Sequence, residues 1–211
     1  MTSPDEKPDN ILVVSCHPLE RSLCRDLCNH VMERIGSSDH RLNHLDLYEA
    51  GFDPVLSASE RATYKEPQYL SGAVDKQVRA LLEADMLILV FPVWWFGFPA
   101  LLKGWFDRVW APGIAYDHGE NAGPIKPRLM KLRHCVAVTT MGSPWWVDRF
   151  VLGRPVRKVL SRAILGACAP KCRFRMLTLY GADAVARRDV EQFKRRIDGV
   201  LTGVLNQGRE S

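Results

Sequence analysis

Residues 86–116 of this chain, MLILVFPVWWFGFPALLKGWFDRVWAPGIAY, contain its clearest structural pattern. The stretch opens with an uninterrupted apolar run over residues 86–91, which is typical of a strand buried on both faces of a parallel sheet. The run ends at Pro92, because proline cannot donate a hydrogen bond to a sheet ladder. Pro99 suits the first turn of a helix, and the apolar residues behind it recur with helical spacing. The stretch therefore predicts a central strand, a loop and a helix, and ligands bind at the carboxyl ends of such strands.

Three consecutive aromatic residues, Trp94, Trp95 and Phe96, occupy the loop between this strand and this helix. Each one taken alone is more often a core residue than a ligand contact. Three in a row do not easily all enter the core from so short a loop. We therefore expect at least one of them to face a flat ligand.

Apolar runs and amphipathic stretches elsewhere predict that strands and helices alternate along the chain. The predicted strands span residues 10–16, 41–47, 86–91, 135–140 and 174–180. The predicted helices run from Ser22 to about Gly36 and over residues 71–84, 99–109, 148–165 and 184–205. Residues 48–60 and 112–127 are predicted to be loops. This alternation indicates an α/β fold, a three-layer doubly wound sheet of five parallel strands.

The loop after the first strand, residues 17–21, leads into Ser22, a residue type that favours the N-cap of a helix. A strand, loop and helix in this order can bind phosphate, because free backbone N–H groups and the positive end of the helix dipole face the anion. The G-x-G-x-x-G motif is absent from the sequence, which argues against a dinucleotide-binding Rossmann site and leaves a flavodoxin type of site open.

Length and composition favour one globular domain. A chain of 211 residues can bury one sizeable α/β core, and we expect a single domain over residues 10–207 after a disordered lead over residues 1–9. The chain is 46% hydrophobic and 25% charged, and it contains no apolar run long enough to cross a membrane. Six scattered cysteines indicate reduced thiols and a cytoplasmic location. The pairs Cys24/Cys28 and Cys168/Cys172 lack further ligands at short spacing, so no metal site is predicted.

The net charge of +5 comes mainly from the second half of the chain. Basic clusters there fall on predicted helices, without a helix-turn-helix, zinc-finger or aromatic RNA-binding pattern. As explanations of these basic clusters, we rank solvated helix faces first, attraction of an anionic dinucleotide second and binding of nucleic acid last.

Several segments resemble the flavodoxin-like NAD(P)H:quinone oxidoreductases. The resemblance is nearly gapless over residues 92–96, 99–109 and 115–116, and it extends to residues 46–47 and 52–56. It implies a flavodoxin-like fold, a bound flavin and NAD(P)H as co-substrate.

The resemblance also implies which residues form the site. The phosphate-binding loop of the family is matched by His17, Arg21, Ser22 and Leu23. The flavin wall is matched by Pro92, Val93, Trp95 and Phe96, and we include Trp94 with them. The loop at the pyrimidine edge of the ring is matched by Thr139, Thr140, Met141 and Gly142. Tyr116 and His118 match catalytic positions that reach the substrate pocket from the other subunit of a homodimer. We expect His118 to donate a proton to the acceptor, although an ordinary surface histidine is an equally good interpretation.

The chain departs from the family pattern at four positions. Met141 stands where a glycine is usual, and Cys24 stands where some members carry asparagine. A tyrosine and a histidine that follow the fourth strand in well-known members fall here on Val147 and Gly153. These departures put the rate and the substrate class in doubt, and not the fold.

The activity implied by the resemblance is hydride transfer in two half-reactions, from NAD(P)H to the flavin and then to a quinone or a similar flat small-molecule acceptor. A nitro or azo compound would use the same pocket. The alternatives are a redox-sensing regulatory subunit like the ancillary proteins of potassium efflux systems, which would dock on a membrane partner, and a one-electron carrier. FMN is slightly favoured over FAD because no C-terminal extension is obvious. The choice between NADH and NADPH stays open.

Overall fold

Five parallel strands form the central sheet of the protein, which the computed structural model describes over residues 8–37, 40–66, 69, 71–119 and 123–206. The strands are β1 (Asn10–Ser15), β2 (Arg41–Asp46), β3 (Met86–Pro92), β4 (His134–Met141) and β5 (Arg173–Tyr180). Their spatial order is β2-β1-β3-β4-β5, and every pair of neighbours is parallel. The predicted α/β doubly wound sheet is thus confirmed, and each strand end lies within one residue of its prediction.

Helices cover both faces of this sheet. They are α1 (Leu23–Gly36), α2 (Ala58–Ala62), α3 (Asp75–Glu83), α4 (Ala100–Val109), α5 (Pro155–Lys158), α6 (Leu165–Cys168) and α7 (Arg187–Leu205). Alternate residues of β1 point to opposite faces, so Leu12 and Val14 join the core under α3 and α4, while Ile11 and Val13 join the core under α1 and α7. All seven residues of β3 are buried, as expected for the central strand.

The helix predicted over residues 148–165 is interrupted. A π-helical turn, Val147–Val151, is separated from α5 by Gly153 and Arg154, which both have positive φ angles, of 66° and 57°. Pro155 then starts α5, and disfavours helical geometry at Arg154 before it. A second π-helical segment, Val159–Ile164, joins α5 to α6.

The predicted loop over residues 48–60 ends in a short helix that the sequence prediction missed. Ser57 caps α2 through a capping box: its side chain accepts a hydrogen bond from the Glu60 N–H, and the Glu60 carboxylate accepts one from the Ser57 N–H. The sequence pattern that indicates this helix start is the tetrad Ser57-Ala58-Ser59-Glu60, a serine followed three residues later by a glutamate.

The predicted loop over residues 112–127 contains two short antiparallel strands, Tyr116–Asp117 and Lys126–Pro127, with residues 120–122 outside the described part. Of the lead predicted over residues 1–9, residues 1–7 also lie outside it, as does residue 207. The N–H of Asp9 donates a hydrogen bond to the Asp85 carboxylate at 3.1 Å.

Candidate functional site

Three loops meet at the carboxyl edge of the sheet because β1, β3 and β4 are adjacent. The backbone registers place Ser15 beside Val90 and Pro92 beside Thr140. The β1–α1 loop is held to β3 by the Cys16 N–H, which donates to the Val90 carbonyl at 3.0 Å. The β3–α4 loop is held to β4 by a bond of 2.8 Å from the N–H of Val93 to the carbonyl of Thr140. We call these loops and the one after β4 the crest loops; they are the three in which sequence reasoning placed the cofactor residues.

The first crest loop ends in a capped helix. The Ser22 hydroxyl accepts a hydrogen bond from the Arg25 N–H at 3.1 Å. Leu23 and Cys24 open α1, where N–H groups have no intrahelical acceptor. His17 shapes the loop by accepting the Leu19 N–H on its Nδ1 at 3.1 Å. The arrangement offers N–H donors and a helix dipole to an anion, as predicted for a phosphate.

The second crest loop contains a tight turn with two bulky residues at its tip. Trp94 and Gly97 form two backbone hydrogen bonds with each other, of 3.3 and 2.9 Å. Trp95 and Phe96 between them both have positive φ angles, of 50° and 54°. A two-residue turn with two positive φ angles normally carries asparagine and glycine. The left-handed conformation costs a residue with a side chain about 1–2 kcal/mol, so this turn stores backbone strain.

The strained turn presents its aromatic side chains outward. Trp95 is 99% exposed and Trp94 is 41% exposed, whereas Phe96 is half-buried and Val93 is buried. The ring of His17 lies 6.2 Å from that of Trp94, so the first two crest loops are in contact. Trp94 and Trp95 thus face outward at the crest, and the expectation that one of these aromatic residues contacts a flat ligand stays a prediction.

The third crest loop is tied to its neighbours. Thr139 is fully buried, and its hydroxyl donates to the Thr178 hydroxyl on β5 at 2.9 Å, so this side chain is engaged in strand packing. The Thr140 carbonyl is taken by the second crest loop, and Met141 is buried. A Cβ built on Gly142 would lie 2.4 Å from the carboxylate of the exposed Asp183 side chain, so a larger residue there would have to displace that side chain. What this loop can offer a ligand is therefore mainly backbone.

Tyr116 and His118 lie outside this constellation. Their rings pack edge to face with centroids 5.5 Å apart, and the His118 Nε2–H donates a hydrogen bond to the Tyr64 carbonyl at 3.1 Å. Burial raises the pKa of Tyr116, which keeps its side chain a neutral phenol. Within the described ranges, no hydrogen bond or ring contact joins either residue to the crest loops.

Sequence reasoning missed an exposed aromatic cluster behind β4. Trp145 and Trp146 are half-exposed, and Phe150 is 70% exposed with its ring 5.7 Å from that of Trp145. The sequence pattern that indicates this cluster is the pair of tryptophans directly after Pro144. Val147, at the family tyrosine position, is half-buried, and Gly153, at the histidine position, lies in the left-handed turn.

The residues present fit a flavin by their chemistry. A helix N-terminus with free N–H groups suits the phosphate, and an outward aromatic turn on the neighbouring strand suits a flat ring. The fold and this crest define the class of flavodoxin-like proteins, whose ligands bind where the strand order reverses, between β1 and β3.

Comparison with known proteins agrees with this class. A model of the family described as "Flavodoxin-like fold" matches residues 9–200, and the chain belongs to that family. An NAD(P)H oxidoreductase of Escherichia coli (strain K12), YcaK, whose name calls it uncharacterized, is 37% identical over 125 residues, which are 59% of this chain and 64% of the relative. NAD(P)H dehydrogenase [quinone] 1 of Cavia porcellus is 30% identical over 151 residues, which are 63% of this chain and 53% of the relative. The chain thus spans less than two thirds of the length of these relatives.

Solved structures share the fold over almost the whole chain. Smu.1420 from Streptococcus mutans superposes with a TM-score of 0.81 at 27% identity, covering 92% of this chain and 99% of that one. An FMN-dependent NADH-azoreductase from Bacillus anthracis, solved in complex with FMN, has a TM-score of 0.73 at 15% identity, covering 94% and 100%. At that identity the second likeness shows the fold alone.

Among the helices of the described residues, none is both long and apolar enough to cross a membrane.

Proposed function

We propose that the protein is a flavin-dependent NAD(P)H oxidoreductase that reduces a quinone or a similar flat acceptor. The observation that carries the proposal is the strained turn at the crest. A protein that only needed to connect β3 to α4 would place asparagine and glycine at Trp95 and Phe96. Outward tryptophan held at an energetic cost indicates a function for the exposed ring. The names of the relatives, NAD(P)H oxidoreductase and NAD(P)H dehydrogenase, support the same activity.

Different parts of the crest bind different parts of the cofactor. The first-turn N–H groups of α1, behind the Ser22 cap, bind the cofactor phosphate, with exposed Arg21 beside them. Trp95 and Phe96 provide an apolar wall that holds a flat ring and excludes water from one side of it. The backbone at the exposed Gly142 approaches the polar edge of the ring.

The cofactor, when bound, supplies a two-electron carrier that NAD(P)H reduces and the acceptor reoxidises. The proposal favours FMN, as expected from the sequence; the azoreductase that shares this fold was solved with FMN. We assign the proton transfer to His118: the Tyr64 carbonyl accepts the Nε2–H, so the proton that reaches the acceptor comes from Nδ1 of the doubly protonated ring, which then returns to its neutral Nε2–H form.

The protein is further proposed to be a cytoplasmic homodimer with one domain. The family resemblance supports the dimer, because it implies that Tyr116 and His118 reach the substrate pocket of the other subunit. Their ring contact and the hydrogen bond of His118 to Tyr64 lie away from the crest loops of their own chain. Two copies related by a twofold axis would bring these side chains to the crest of the other copy. Light scattering that showed only monomer would remove this part of the proposal.

The test of the activity is the visible spectrum of the purified protein reconstituted with FMN or with FAD, followed by anaerobic NADH or NADPH. We expect the oxidised flavin band to bleach within seconds, without long-wavelength absorption from a one-electron form. If flavin binds and neither nucleotide bleaches it, a binding or carrier protein replaces the enzyme. If neither flavin binds, the site assignment itself is wrong.

A further inference from the structure

A small polar cavity lies at the outer side of the sheet, against the edge strand β5. Its volume is about 140 Å³. Residues from three separate parts of the chain line it: Asp148, Arg154, Arg157, Met176, Thr178, Tyr180 and Arg196. Alternate residues of β5 therefore form its floor, and arginines from the segment before α5, from α5 and from α7 form its walls.

Positive charge dominates this cavity. It is lined by three guanidinium groups and one carboxylate. In the part of the chain that the structure describes, Arg154, Arg157 and Arg196 form no salt bridge. The carboxylate of Asp148 instead accepts a hydrogen bond of 2.8 Å from the Tyr180 hydroxyl. Like charges repel at close range, so converging unpaired arginines indicate a site for an anion.

Arg154 carries a further sign of an absent partner. Its Nε atom is buried, and it has no hydrogen-bond partner. A buried donor without an acceptor costs about 1–3 kcal/mol, which an oxyanion ligand would recover. The residue is held in a left-handed conformation, with φ of 57°, and its N–H donates to the Asp148 carbonyl at 2.7 Å. The backbone thus fixes the position from which this side chain enters the cavity.

The other two guanidinium groups are oriented by aromatic rings. The Arg157 Cζ lies 5.5 Å from the centre of the Phe174 ring, and the Arg196 Cζ lies 5.5 Å from that of Phe193. Such contacts hold the planar groups and leave their N–H edges available.

We infer that this cavity binds a phosphate group, through Arg154, Arg157 and Arg196. Arginine forks match the oxygens of phosphate in pairs, and the polar side chain of Thr178 also lines the cavity. The cavity is smaller than the roughly 300–1,000 Å³ typical of sites for whole organic ligands, so it takes the phosphate group alone.

The inferred site is distinct from the phosphate-binding loop proposed at the crest. The strand β1, which leads into that loop, is separated from β5 by two strands, β3 and β4. Neighbouring strands lie about 4.8 Å apart, which puts roughly 14 Å between β1 and β5. The phosphate is therefore either a free anion or a second phosphate of a bound nucleotide, such as the 2′-phosphate of NADPH.

Isothermal titration of the full chain with inorganic phosphate, against a chloride control of equal ionic strength, tests the inference. We expect saturable binding, weakened at least tenfold in Arg157→Gln and in Arg196→Gln. Arg195→Gln is the matched control, because Arg195 is an exposed neighbour on α7 that does not line the cavity. Wild-type protein without saturable binding would overturn the site, and so would variants that bind as well as the Arg195→Gln control.

A second experiment identifies the source of the phosphate. This experiment rests on the proposed function, whereas the titration with inorganic phosphate does not. If the ligand is the 2′-phosphate, then 2′,5′-ADP binds more tightly than 5′-AMP, and Arg196→Gln raises the KM for NADPH without raising that for NADH. If the ligand is a free anion, phosphate titrates as expected and neither KM changes. Both results support the site. An inactive protein that still binds phosphate would reject the proposed function and leave this inference intact.

Discussion

Arg108 binds Glu60 in the interior of the protein. The Arg108 Nε and Nη2 atoms lie 3.0 and 2.6 Å from the same Glu60 oxygen, and both side chains are about 95% buried. The third guanidinium nitrogen, Nη1, donates to the Asp53 carbonyl at 2.5 Å. One buried arginine on α4 therefore fixes α2 and the chain that precedes it, and positions the helix that follows the aromatic turn.

Replacing Glu60 should destabilise the fold at neutral pH. Glu60→Gln leaves the guanidinium of Arg108 buried without its counter-charge, and we expect a loss of about 3–5 kcal/mol in the free energy of unfolding. Urea unfolding at pH 7 measures it. Lys103→Met is the matched control on α4, because it breaks only the exposed pair with Asp107 and should cost less than about 1 kcal/mol.

The same variant has a pH signature. Burial acts to raise the pKa of Glu60, but the hydrogen bonds from Arg108 and Ser57 outweigh it and hold the pKa below its usual value. A carboxyl with a lowered pKa stabilises the fold above its unfolded pKa, and this contribution disappears as the pH falls through the folded pKa. The gap between wild type and Glu60→Gln should therefore be constant near neutrality and shrink below about pH 4. A gap that stays constant down to pH 3 contradicts this account.

A second prediction concerns the contact between α4 and Pro54. A Cβ built on Gly104 would lie 2.3 Å from the Pro54 carbonyl oxygen and 2.4 Å from its Cα. Gly104→Ala must separate the helix from this backbone, so we expect a cost of about 2 kcal/mol from overpacking. Thermal unfolding measures it. Gly199→Ala on α7 is the control: nothing lies within 4 Å of its Cβ, and alanine should stabilise the helix by about 0.5–1 kcal/mol.

A third prediction tests the role of His118. His118→Ala should lower kcat with a quinone acceptor at least tenfold and leave flavin affinity unchanged, because the residue lies outside the crest loops. Stopped-flow measurement separates reduction of the flavin by NAD(P)H, which should keep its rate, from the reaction with the acceptor, which should slow. Unchanged turnover would reject the role and leave His118 as a surface residue bound to the Tyr64 carbonyl.

The sheet was predictable from sequence because its signal is local. The apolar run of β3, its end at Pro92 and the Ser22 cap each depend on a few adjacent residues. The position of Trp95 at the crest followed from strand and helix order alone. The strain in its turn did not, since a left-handed conformation at tryptophan contradicts the usual preference and is fixed by the hydrogen bonds of Trp94 with Gly97.

Features that join distant parts of the chain were not predictable. Thr139 stays a predicted cofactor residue, and its hydroxyl donates to the hydroxyl of Thr178, 39 residues further along, a contact that no local pattern indicates. The arginine cavity brings together Arg154 and Arg196, which no local pattern connects. The break before Pro155, by contrast, has a local signal in the segment Gly153-Arg154-Pro155, but the helical periodicity of the surrounding residues masked it.

The aromatic turn offers the most direct test of the account, through the FMN affinity and the stability of one variant, Trp95→Asn. Because Trp95 is 99% exposed, the change removes no packing, and asparagine tolerates the φ of 50°. We expect the free energy of unfolding to rise by about 0.5–1 kcal/mol as strain is relieved, while FMN affinity falls about tenfold, or 1.4 kcal/mol. Leu82→Ala, an exposed apolar residue on α3, should leave the affinity unchanged. A Trp95→Asn variant that binds FMN as tightly as wild type would contradict the claim that the crest is a flavin site built around this ring.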